Sequence, residues 1–119
     1  MTRILGNNTL ITKAEANQID INSQADNYTL VLADAFKTIK MTKATANTLT
    51  IPLNSSVAFA IGTIIFIEQW GAGQVTISST GGVTLNSAGG ATKLTAQYST
   101  AFIRKDATNT WILVGDITT

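Results

Sequence analysis

The chain has 119 residues, enough for one domain with a core of its own, and its eight basic and seven acidic residues leave a formal charge of +1. Charge this balanced and dispersed argues against a dedicated nucleic-acid surface. The absence of histidine and cysteine removes the usual neutral-pH base, the thiol nucleophile, disulfides and thiolate metal ligands. Only 13% of residues are charged against 45% hydrophobic, so the surface must be covered by Thr, Ser, Asn and Gln or by other protein, and assembly is expected.

Residues 1–26 read as an amino-terminal arm and 27–119 as a β domain. In the arm, the pairs Ile4–Leu5 and Leu10–Ile11 are separated by two asparagines, and Thr12 with Glu15 has capping-box spacing for a brief helix through Asn17. Ile19 and Ile21 then alternate as in a strand. These six apolar residues are candidate contacts, because neither short element buries them alone; the plainer reading is an irregular lead-in strand. "MTRILGNNTL" lacks the apolar core of a signal peptide and no apolar run reaches transmembrane length, so synthesis in a cytoplasm without export or a membrane partner is expected.

From Tyr28 extended structure is expected throughout. "YTLVLADA" sets Tyr28, Leu30 and Leu32 on one face before a bend at Asp34, after which "KTIKM" resumes a strand. "NTLTIP" sets Leu49 and Ile51 on one side until Pro52, which lacks a donor, ends the ladder. "GTIIFIEQW" is apolar on both faces and reads as a central strand. "GQVTISS" and "GGVTLNS" share a pattern that suits hairpin arms or stacked strands. Leu94, Ala96 and Tyr98 share a face, "DATNT" is the clearest hairpin turn, and "WILVGDI" carries apolar residues on both sides. Short strands divided by Gly and Asn turns predict an all-β fold, a compact antiparallel β-sandwich or small β-barrel with an extended arm.

Little is left for chemistry. The serines fall in no "S-x-x-K" or "G-x-S-x-G" pattern, and Asp20, Asp26, Asp34, Glu68, Asp106 and Asp116 lack calcium-loop spacing. No catalytic residue, cofactor or metal ligand is expected. Trp70, Trp111, Tyr98 and Tyr28 suit a sugar-binding platform, but their parity with Phe66, Leu94 and Leu113 favours core or interface packing. Trp70, bordering a glycine turn, is the aromatic least tied to the core and a candidate interaction residue.

Taken together, "YTLVLADAFKTIKM", "NTLTIPLNSSVAFAIGTIIFIEQWGAGQVTI", "GVTLNSAGG" and "AQYSTAFIRKDATNTWILVGDI" resemble a recurrent small β domain of tailed-bacteriophage structural proteins, over Tyr28 to Ile117. The resemblance implies a virion structural protein and no catalytic residues. A β domain preceded only by a short arm is expected to be a capsid decoration (cement) protein on the capsid exterior, a homotrimer contacting the major capsid protein. Tail, tail-fibre or baseplate components with host-glycan recognition, and a stand-alone carbohydrate-binding module, are the alternatives, a glycan being the less expected partner.

Overall fold

Through most of this chain, consecutive strands do not pair with each other but alternate between two sheets. A computed structural model describes residues 18–119, together with the backbone of two short strands, β1 (Thr2–Ile4) and β2 (Leu10–Thr12). The remaining strands are β3 (Ile21–Gln24), β4 (Tyr28–Thr29), β5 (Thr38–Met41), β6 (Asn47–Ile51), β7 (Ile64–Gln69), β8 (Val75–Ser79), β9 (Thr84–Ser87), β10 (Lys93–Leu94), β11 (Thr100–Ala107), β12 (Thr110–Gly115) and β13 (Ile117–Thr118). A six-stranded sheet runs β3-β5-β7-β11-β12-β9 and a five-stranded sheet β13-β10-β8-β6-β4.

Both sheets are mixed, which corrects the antiparallel expectation. β3, β5 and β7 are parallel neighbours in one sheet, as are β4, β6 and β8 in the other. The reason is the alternation itself: a chain that crosses to the second sheet after each strand comes back to the first running in the same direction. Three stacked coils result, and antiparallel pairing appears mainly where β11 returns against β7 and turns into β12. The hairpin expected at "DATNT" is the β11–β12 connection.

The second and third coils lie in register 28 residues apart, with Thr38 opposite Phe66 in one sheet and Asn47 opposite Val75 in the other. Their turns therefore stack as well: the amides of Trp70 and Gly71 donate to the Met41 carbonyl, and that of Gly73 to the Lys43 carbonyl. Backbone approaches backbone so closely that a β-carbon on Gly71 would overlap the Lys43 carbonyl oxygen, and one on Gly73 the Thr45 carbonyl oxygen.

The inner faces of both sheets feed one buried cluster. Ile39, Met41, Ile65, Ile67, Ile103, Trp111 and Leu113 come from the larger sheet, and Leu49, Ile51, Val75, Ile77 and Leu94 from the smaller. Full burial of each such side chain contributes about 1.5–3 kcal/mol. The long loop after Pro52 joins this core through Phe59, whose ring meets Trp111 edge-on at 5.6 Å.

The strand expected over "YTLVLADA" stops at Thr29. Asp34 turns back to accept hydrogen bonds from the Val31 amide, the Tyr28 hydroxyl and the Asn22 side chain, bending Leu32–Asp34 into a 3₁₀ turn. Leu30 is buried in consequence, while Leu32 points outwards. In the arm, Ile4 pairs with Leu10 and Arg3 with Ile11 in a β1–β2 ladder, whereas the helix expected after Thr12 lies outside the described residues.

Gly73→Ala is expected to cost about 2–4 kcal/mol, because the stacked turns must separate. Gly81→Ala, where a β-carbon would meet nothing within 4 Å, is expected to stay within about 0.5 kcal/mol of the parent. Urea unfolding midpoints of the two variants check the difference.

Candidate interaction surfaces

Strand alternation sends every second residue of the six-stranded sheet outwards, and the register aligns those residues in rows. One row runs Ile21, Thr38, Phe66, Phe102, Val114, and the next Ile64, Arg104, Ile112, Asn86. Phe66 and Phe102 touch with ring centroids 6.3 Å apart. Phe36 borders this block, its amide bonded to the Ile64 carbonyl, and holds a left-handed backbone (φ 62°) unusual for a bulky residue. Strands β7 and β12, apolar on both sides, are thus buried on their inner faces only among the described residues; Ile64, Phe66 and Ile112 are half-buried and Val114 is exposed.

The other sheet presents a different surface. Its outward rows are Thr48, Thr76, Lys93, Thr118 and Thr29, Thr50, Ser78. Hydroxyls cover that side, and β-branched threonine suits the extended backbone beneath them. The apolar block is thus confined to the outer face of the larger sheet.

On the larger sheet, a polar row of Ser23, Lys40, Glu68 and Thr100 separates the apolar block from Trp70 and Tyr98. Trp70 (46% exposed) and Tyr98 (66% exposed) meet at 5.3 Å with their planes 78° apart. The Lys40 ammonium lies 3.9 Å from the centre of the Trp70 ring, and the Gln97 side-chain amide donates to the Trp70 carbonyl. Tyr98, too, has a left-handed backbone (φ 70°), fixed by its amide on the Gln69 carbonyl at 2.6 Å.

A third feature is the open end of the coil stack. Among the described residues β3 and β4 are edge strands, and Ile19, Ile21, Val31 and Leu32 are all exposed on this first coil. β3 carries neither the lysine nor the proline that commonly blunts an edge. Of the residues singled out by sequence, Ile19 and Ile21 sit at this edge and Trp70 at another corner of the same sheet. Ile4, Leu10 and Ile11 belong to the β1–β2 pair, and Leu5 lies outside the described residues. Phe66, Phe102, Ile64 and Ile112 were not separable by sequence from core residues, since a strand apolar on both sides looks the same whether one face or both are covered.

The ionisable groups are dispersed, with no cluster of three or more carboxylates among the described residues. Asp26 pairs with Lys43 at 2.6 Å, and that hydrogen bond holds its carboxyl below the usual range. Arg104 pairs with Asp106 at 2.8 Å. Asp116 is lowered first by the Ser99 hydroxyl, which donates to it at 2.6 Å. Burial raises the Tyr28 phenol, and its hydrogen bond to Asp34 adds to the rise.

Lys105, like Asp34, is an exception to exposed charge. It points inwards from β11, donates to the Asn54 side-chain oxygen and to the Phe59 carbonyl, and so fastens the long loop to the sheet. Burial holds it below the usual 10.5. Comparison with protein-family models, curated proteins and solved structures returned no match.

The folded chain releases the Lys105 proton at a lower pH than the unfolded chain does. Between those two points the unfolded state binds more protons, so stability rises with pH. Urea titrations from about pH 7 to about pH 10 are expected to show the parent gaining stability relative to Lys105→Met; a constant difference would contradict the buried ammonium.

Proposed function

We propose that this chain is a structural protein of a bacteriophage virion, a capsid decoration protein that works by burial rather than turnover. The observation that carries the reading is the one-sided domain: an apolar block of Phe66, Phe102, Ile64, Ile112 and Val114 on one outer face, and a hydroxyl face on the other. The resemblance of Tyr28–Ile117 to phage structural domains supports the same reading. In it the two sheets pack as a sandwich, three copies associate, and the trimer sits on the capsid exterior against the major capsid protein.

The magnitudes fit repeated weak contacts. The block's side chains are mostly half-buried already, so covering them contributes only part of the about 1.5–3 kcal/mol that full burial of each would give. Association costs about 4–15 kcal/mol, so a single contact is marginal and strength comes from many copies on one shell. The open edge at Ile19 and Ile21, continuous in sequence with the arm, gives each copy a second place to engage a neighbour.

Phe66→Gln/Phe102→Gln is expected to keep the unfolding free energy within about 1 kcal/mol of the parent while weakening self-association and attachment to particles by at least about tenfold. Sedimentation and particle pull-down read both effects, and unchanged attachment would contradict the assignment. Deleting residues 1–20 is expected to leave the two sheets folded, by thermal unfolding, and to weaken attachment or subunit exchange in the same assays.

A further inference from the structure

The Trp70–Tyr98 corner differs in chemistry from the apolar block beside it. The block is mainly hydrocarbon, with Arg104 set between Ile64 and Ile112, whereas the corner couples two exposed rings to a row of hydrogen-bonding groups. Lys40 and Glu68 are opposite each other across the β5–β7 ladder, yet their charges form no ion pair among the described residues. Lys40 lies instead over the Trp70 ring. The Glu68 carboxylate, half-buried, and the exposed Thr100 hydroxyl are opposite each other across β7 and β11 and have no side-chain hydrogen-bond partner among the described residues.

We propose that this corner binds a pyranose ring of a glycan. Tyr98, two-thirds exposed, has ring surface free even with Trp70 against it and Lys40 on Trp70. A hexose has an apolar C–H face for that ring and hydroxyls around its rim. Glu68 lies on β7 two residues before Trp70, which follows the end of that strand, about 7 Å away at the extended rise per residue and within the span of a sugar ring and its hydroxyls. Carboxylate, ammonium and hydroxyl there can accept from and donate to the rim, whereas a purely apolar partner would leave them unpaired.

Tyr98 occupies a backbone region that glycine enters without cost and a bulky residue does not. The chain therefore bears strain to hold an aromatic ring outside the sheet. Gln97, bonded to the Trp70 carbonyl, keeps the turn beside Trp70 in place. The site shares none of the apolar block's aromatic residues and stands independently of the virion reading.

Trp70 is a built-in reporter, because the other tryptophan, Trp111, is 2% exposed. The experiment titrates the full chain with methyl α-glucoside, methyl β-galactoside, N-acetylglucosamine and oligosaccharides ending in each, following tryptophan emission and saturation-transfer NMR. At least one sugar is expected to shift Trp70 emission with a millimolar Kd. Tyr98→Gly, which removes the ring and relaxes the turn, and Glu68→Gln are each expected to weaken binding about tenfold, while Phe102→Gln leaves it unchanged. No saturable shift with any of these sugars overturns the proposal, as does a shift that persists in Tyr98→Gly. A shift that follows protein concentration alone also overturns it and makes the corner a contact between copies.

Discussion

Close stacking of the turns that carry the chain from one sheet to the other is the constraint on which the rest of the structure depends. Gly71 and Gly73 let the third-coil turn rest on the carbonyls of residues 41–45, and this contact locks the second and third coils 28 residues apart in both sheets at once. With the register fixed, parallel pairing follows, and so does the side of the sheet to which each residue points. A slip of one residue would exchange Ile65 and Ile67 with Ile64 and Phe66. The core and the outer aromatic block are thus two results of one backbone arrangement.

Two buried polar groups complete it. Asp34 gathers three donors and closes the first coil, and Lys105 ties the loop after Pro52 to the β11–β12 hairpin. Each is satisfied by hydrogen bonds rather than by an opposite charge, which fixes geometry without a partner of exact placement. Neither shows the clustering that acid-base chemistry or metal binding needs, and both act in holding segments together.

Local patterns were legible in the sequence where they depend on neighbours along the chain. The alternation in "NTLTI" gives the buried Leu49 and Ile51, "GTIIFIEQW" is an interior strand of its sheet, and "DATNT" turns a hairpin. Sheet direction was not legible, because parallel pairing arises from connections between distant strands. Nor was the fate of Leu32, which Asp34 turns outwards through side-chain hydrogen bonds that no period records. "GQVTISS" and "GGVTLNS" look alike and yet enter different sheets as β8 and β9. Of the candidate surface, Ile19, Ile21 and Trp70 stood out by their position at element ends. Phe66 and Phe102 did not, since an outward aromatic on an apolar strand is indistinguishable in sequence from a core residue.

Under the proposed structural role the apolar block would serve attachment and the hydroxyl face would meet water, while recognition falls to the aromatic corner under the separate glycan proposal. The most direct measurement of the proposed role is a cryo-EM reconstruction of the phage particle to which the proposal assigns this protein, at a resolution that shows side chains. The account predicts many symmetric copies with Phe66 and Phe102 in protein contact and Thr48 and Thr76 facing solvent. Copies that attach through the threonine face, with Phe66 and Phe102 open to water, would contradict it.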